Sequence, residues 1–192
     1  MKTTDHDTIH WLIPVARLTA PLLVMVLLGT AVFANDDDHH HGHRPPPVPP
    51  SLQVPATNTL KFQAEGVGVQ IYVWTVNPTN AALSAWVLKA PHAVLFHHEG
   101  KVVGVHFAGP TWENNDGSKV VGTRVAAATL DPTAIPWLLL QATSTSGAGE
   151  FADITYIQRL DTVGGVAPAI AGTTAGQEVL VPYIARYLFY HP

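Results

Sequence analysis

Beyond residue 52, apolar and polar residues alternate in short runs broken by clusters of Gly, Pro, Asn and Asp. A period of two sends successive side chains to opposite faces of a strand. The pattern predicts strands over 60–64, 67–74, 85–88, 93–97, 102–107, 119–127, 137–143, 151–160 and 179–190. Turn signals divide them: NPTN at 77–80, AP at 90–91, EG at 99–100, AGP at 108–110, NNDG at 114–117, DPT at 131–133, SGAG at 146–149 and VGG at 163–165. No window carries the spacing of an amphipathic helix, and Pro182 excludes one from the C-terminal segment. Many short strands with frequent turns predict an all-β fold. The expected form is a single antiparallel β-sandwich, with a closed or partly open β-barrel as the alternative.

Alternation also assigns faces. Val103, Val105 and Phe107 share one, so His106 lies on the other with Val102 and Gly104. In the last strand Tyr183, Ala185, Tyr187 and Phe189 lie together, opposite Ile184, Arg186, Leu188 and Tyr190. Thr155, Ile157 and Arg159 oppose Ile154, Tyr156, Gln158 and Leu160. The run 137–140 is apolar on both faces, as a central strand would be.

The N-terminus departs from this pattern. Lys2 and Arg17 flank a polar stretch, and an uncharged apolar run covers 21–34. Val32 and Ala34 suit the −3 and −1 positions of a secretory cleavage site. Residues 1–34 therefore read as a signal peptide. The rival is an uncleaved anchor, but the run is short of the ~20 apolar residues a spanning helix needs. NDDDHHHGHR at 35–44 and PPPVPP at 45–50 follow, and neither has the apolar content to fold. Residues 35–51 are expected to be a disordered His/Asp- and Pro-rich linker, and 52–192 a single β domain. The expected location is periplasmic or extracellular, without stable membrane insertion after cleavage. With no Cys, neither a lipid-linked cysteine nor a disulfide is available. A net charge of −4 argues against nucleic acid, whose binders carry basic patches.

Candidate chemistry concentrates in GVHFAGPTWENNDGSKVVG at 104–122. Asp116-Gly117 is first a hairpin signal, suited to a two-residue type I′ turn that returns a strand at 111–113 into 119–127. Asn114, Asn115 and Ser118 would then serve the turn by local hydrogen bonds. The same stretch offers His106, Glu113 and Asp116 as catalytic candidates. An imidazole with two carboxylates suits a metal, and paired carboxylates suit acid/base work. His106, Asp116 and Ser118 have the composition of a nucleophilic triad, which only geometry can establish. Trp112, Ser118 and Arg159 are the binding candidates.

Elsewhere, His39, His40, His41 and His43 in the linker are expected to bind divalent metal weakly, since imidazole suits zinc, copper or nickel. No other cofactor is expected. His97 and His98 are strand neighbours that face opposite ways, so they read as turn residues rather than ligands. Trp86, Trp112 and Trp137 are candidates for a sugar-stacking platform, or else for core tryptophans. Gly66 and Gly68 make no dinucleotide fingerprint.

The segments GVQIYVW (68–74), APHAVLF (90–96), GKVVGVHFAGPTWENNDGSKVVG (100–122), AIPWLLLQATSTSGAGEF (134–151), ITYIQRLDTVGGVAPA (154–169) and VPYIARYLFY (181–190) carry a resemblance. In order, spacing and residue choice they are similar to a secreted bacterial and fungal family catalogued as domain of unknown function 3455. The resemblance implies secretion, one β-rich domain and no established activity. A malate dehydrogenase label on some fungal members finds no support here, because the nucleotide-binding pattern is missing. The family often has Cys where this chain has Trp74 and, near the second place, Thr173. Their joint absence fits the loss of a disulfide pair.

The preferred expectation is an exported protein that binds a small molecule or saccharide without chemistry. A metal-assisted or acid/base hydrolase centred on His106, Glu113 and Asp116 is the alternative, and a structural surface protein without ligand is the third. The oligomeric state is not legible.

Overall fold

The computed structural model describes residues 46–97 and 100–192. The expected signal peptide, the linker up to residue 45 with all four of its metal-candidate histidines, and His98 and Glu99 lie outside the described residues.

Eight strands follow one another: β1 Thr59–Thr75, β2 Ala85–Phe96, β3 Val102–Phe107, β4 Thr111–Asn114, β5 Lys119–Ala128, β6 Trp137–Ser146, β7 Tyr156–Gly164 and β8 Glu178–His191. Each pairs antiparallel with the next, and β8 pairs with β1 from Thr59↔His191 to Val73↔Glu178. The all-β antiparallel expectation holds. Between the two arrangements it allowed, the closed ring of pairings is the barrel alternative: one sheet curls until no edge is left unpaired.

Two pairs of expected strands are continuous. The runs 60–64 and 67–74 fuse into β1, and 85–88 and 93–97 fuse into β2. β2 passes through Ala90-Pro91 without turning, because a register shift opposite Ile71 and Tyr72 absorbs the irregularity there. A bulge is one of the few places where a sheet tolerates proline. The run expected over 151–160 becomes strand only at Tyr156, while Phe151 and Ile154 sit buried in the loop before it.

Inside the ring, small residues face large ones. A Cβ on Gly66 would lie 2.6 Å from Cε2 of Tyr187, so the missing side chain is the space that this ring occupies. Phe151 stacks on Phe189 with centroids 4.5 Å apart, and Trp112 meets Phe189 edge-on at 6.0 Å. Together with Phe62 and Leu95 these aromatics close the end of the barrel carrying the β4–β5 and β6–β7 loops. The opposite end is less filled.

A second cluster lies outside the wall. Leu160, Leu188 and Tyr190 pack there beneath Val48, Val54 and Trp137. Buried Gln158 ties the N-terminal segment to this face: its Nε2 donates to the Leu52 carbonyl at 2.6 Å, and the Tyr190 hydroxyl donates to its Oε1 at 2.7 Å. The Pro-rich end of the expected linker therefore contributes packing from Val48 onward, ahead of the expected domain start at Leu52. Val48 is only partly buried, and fully buried Leu52 with its bond from Gln158 anchors the segment.

Candidate functional site

At the less filled end the barrel opens into a cavity of about 350 Å³, near the lower end of the size range of small-molecule sites. Its floor and walls come from Gln70 and Tyr72 of β1, His106 of β3, Trp112 of β4, Arg159 of β7 and Tyr187 of β8. Pro91, Ile135, Leu138 and Leu140 supply apolar wall. The β5–β6 loop forms one lip. It is strapped down by Ile135 N–H to the Gly164 carbonyl (2.9 Å) and by the Thr162 hydroxyl to the Ile135 carbonyl (2.5 Å).

His106 is 3% exposed and lies flat on Trp112, centroids 4.4 Å apart and planes 9° apart. Pairing across β3 and β4 puts the two rings on the same inner face. His106 Nδ1 lies 2.9 Å from the Thr111 carbonyl. A carbonyl can only accept, so Nδ1 carries the proton and Nε2 is left with its lone pair. Burial pushes the imidazole pKa down to about 3; the Thr111 bond opposes that shift and the Arg159 charge adds to it. The ring is therefore neutral at any ordinary pH.

Arg159 enters on the inner face of β7, beside Ile157. Its Nε and Nη2 donate to the Pro136 carbonyl at 3.2 and 2.8 Å, and it also bonds the Tyr187 hydroxyl. The Tyr187 and Tyr183 hydroxyls lie 3.1 Å apart. No carboxylate pairs with Arg159 among the described residues, and burial disfavours its charge. Tyr72, whose hydroxyl donates to the Gly165 carbonyl at 2.7 Å, holds the rim opposite.

Two N–H groups stand out. Gln70 and Trp112 are each 1% exposed, and Gln70 Nε2 and Trp112 Nε1 have no hydrogen-bond partner among the described residues. Leaving a buried donor unmade costs about 1–3 kcal/mol, so buried polar groups are almost always paired. Both residues line the cavity.

The sequence-based candidates divide. His106, Trp112 and Arg159 come together in the cavity. Glu113 does not join them: it pairs with Val105 in the β3–β4 register, faces outward and bonds Lys119 at 3.1 Å. Asp116 sits at the closed end, where its carboxylate accepts from Ser118 N–H (2.8 Å), the Ser118 hydroxyl (2.6 Å) and Glu150 N–H (2.8 Å). Those bonds, the Ser118 hydroxyl first, hold its pKa below the usual carboxylate range. Fully buried Ser118 in turn accepts from Phe151 N–H at 3.0 Å. The expected His106/Glu113/Asp116 constellation and the His106/Asp116/Ser118 triad are thus not assembled, because strand alternation and the length of the barrel separate their members. Among the described residues no three His, Asp or Glu side chains form a metal-sized group. Ser118 lies away from the cavity, where it staples two loops together.

The hairpin itself is where the turn signal put it, but of another type. Gly117 alone takes positive φ (86°), and the turn is closed by Gly117 N–H to the Asn114 carbonyl and Asn114 N–H to the Ser118 carbonyl, both 2.9 Å. This is a three-residue loop with glycine in the left-handed position rather than a two-residue type I′ turn. The three tryptophans do not form a platform either. Trp112 is inside, Trp137 packs on the outer cluster, and Trp86 donates to the Ile170 carbonyl at 2.9 Å.

Gln70, Tyr72 and Tyr187 are site residues that the sequence pattern does not single out. The one signal it offers is Gln70, a lone amide on the strand face that it shares with Gly66, Gly68 and Tyr72.

The family described as Protein of unknown function (DUF3455) matches residues 55–191. The chain belongs to this family. No curated protein and no solved structure matches it. The matched span takes in all eight strands and every residue of the DUF3455 cavity named above. It also contains Trp74 and Thr173, the places where the resemblance implied cysteines. Trp74 bonds Gly176 N–H and the Gln177 carbonyl through its backbone, and a Cβ on Gly172 would collide with its ring. Trp74 thus occupies the position from which a bridge to the 172–177 loop would start.

Proposed function

We propose that this is an exported protein that binds a small molecule, without chemistry, in the mouth of its barrel. The observation that carries the reading is the pair of fully buried, unpartnered donors, Gln70 Nε2 and Trp112 Nε1, in the wall of an apolar cavity. A purely structural protein gains nothing from two such groups, whereas a binding site uses them to orient a ligand that supplies the acceptors. A separate platform of tryptophans for a saccharide finds no support in their placement. Catalysis finds little: His106 has a buried, neutral ring and no carboxylate beside it among the described residues. The apolar run over 21–34 supports export, and the net charge of −4 disfavours nucleic acid as a partner. Weak metal binding by His39, His40, His41 and His43 would be a property of the linker, separate from the cavity.

Gln70→Leu tests the binding reading. Removing the unpaired amide should raise the stability of the ligand-free protein by about 1 kcal/mol, and should abolish the melting shifts that a fragment library produces in wild type. A destabilised Gln70→Leu, together with a wild-type melting curve that no fragment moves, would return the protein to the structural reading.

A further inference from the structure

The cavity carries more information than that something fits in it. The buried side-chain atoms of its lining that lack a protein partner are both donors, and the one acceptor beside them is the lone pair of His106 Nε2. Gln70 Nε2 and Trp112 Nε1 are unpaired, and the Arg159 guanidinium has five N–H groups, of which the Pro136 carbonyl and the Tyr187 hydroxyl take only part. Arg124 and Lys89 also lie on the lining, and among the described residues no Asp or Glu does. Lys89 is answered from outside by Glu178 at 2.6 Å. Arg159 has no such answer. A cation set among Leu138, Leu140, Tyr187 and Trp112 is costly unless an anion meets it.

We infer that the ligand is a small organic carboxylate, held head-first by the guanidinium of Arg159 and the N–H groups of Gln70 and Trp112, with an apolar body against Leu138, Leu140 and Pro91. This rests on the binding function proposed above and adds its chemical class.

The head group follows from donor chemistry and charge. A guanidinium matches a carboxylate through parallel N–H bonds, and the two neutral donors can serve the remaining lone pairs. One deep cation suits a single negative charge. A phosphate monoester brings a second charge that nothing deep in the cavity answers, and a sulfate ester, though singly charged, brings a third terminal oxygen that the three donor groups would have to share. The apolar wall selects the rest of the molecule, since a bare acetate would leave it in contact with water.

Matched pairs test the inference on the unaltered protein: benzoate against benzamide and hexanoate against hexanamide, with phenyl phosphate as a third arm. Binding is read by thermal shift and by tryptophan fluorescence, to which Trp112 contributes. The carboxylates should raise the melting temperature and each amide should bind about tenfold weaker or worse. Arg159→Gln should erase the difference within each pair, and Arg159→Lys should keep part of it. Near-UV circular dichroism confirms that both variants are folded. Equal binding of acid and amide, or tighter binding of phenyl phosphate, would sink the carboxylate assignment and leave the cavity as a binding site. If no arm binds at millimolar concentration and Gln70→Leu is destabilising, both readings fall together.

Discussion

Protonation of His106 should set much of the acid sensitivity of this fold. The imidazole is 3% exposed, and its pKa falls from an ordinary 6.5 to about 3 on folding. A buried neutral histidine binds its proton more readily in the unfolded chain. Between about pH 6.5 and pH 3 the unfolded state therefore carries the extra proton, and stability rises with pH across that window. The contribution is complete above 6.5 and is lost as the pH drops toward 3. Every tenfold difference in proton affinity between the folded and unfolded chain is worth about 1.4 kcal/mol. At pH 4 the folded ring is still mostly neutral, so roughly 3 kcal/mol relative to pH 7 should have gone. Groups facing the ring add to the penalty: the Arg159 guanidinium from β7 repels a second cation, and the Tyr187 ring from β8, 5.2 Å away, excludes water. The assay is urea denaturation of wild type and His106→Gln at closely spaced pH values from pH 7 to pH 4. The substitution has a fixed cost from lost stacking on Trp112, but that cost cancels in the slope against pH, as do all other titrating groups. Wild type should lose about 3 kcal/mol more than the variant over this range, equivalent to a melting temperature drop on the order of 10 °C. Parallel stability curves, or an imidazole NMR titration of His106 centred near 6.5, would refute the burial argument.

Two other predictions concern the closed end and the rim. Asp116→Ala should cost about 1–2 kcal/mol and Ser118→Ala about 1–3 kcal/mol, the latter by leaving the Phe151 N–H unpaired; because both act through one network, the double variant measured by denaturation should lose clearly less than the sum, and strict additivity would contradict the staple. Cysteines placed together at 74 and 173 should form a bridge under oxidising conditions and raise the melting temperature, with about 4–5 kcal/mol as the ceiling for a loop of roughly 100 residues; two thiols that stay free to alkylating reagent would count against the disulfide-loss reading.

How far the site can be read from sequence depends on which residues are considered. Period-two alternation places Arg159 and His106 on the correct strand faces, because it needs only local information. Which face is interior is not local. Val103, Val105 and Phe107 look like the core side of β3, yet Val105 is 36% exposed and Gly104 and His106 point inward. The reason lies in the neighbouring strand and across the barrel: a Cβ on Gly104 would strike the Glu113 carbonyl of β4, and the room beside His106 is taken by Trp112 of β4 and Tyr187 of β8. A narrow barrel rewards small residues and a few flat rings inside, so hydrophobicity alone points the wrong way there. The Asp116 network fails to show for a related reason. Its partners Glu150 and Phe151 lie more than thirty residues ahead in the chain, and nothing near Asp116 announces them.

The sequence by itself determined that the domain is all-β and antiparallel, where most of its turns fall and which side chains share a strand face. These follow from steric preferences that act over two to four residues. Only the tertiary structure decided that the sheet closes on itself, that one end is plugged by Phe151 and Phe189, and that Gln70, His106, Trp112 and Arg159 from four strands line one cavity. Closure depends on the summed twist and register of eight pairings, and a site inside it depends on what is left unfilled when small and large residues meet across the barrel. Neither quantity belongs to any one segment of the chain.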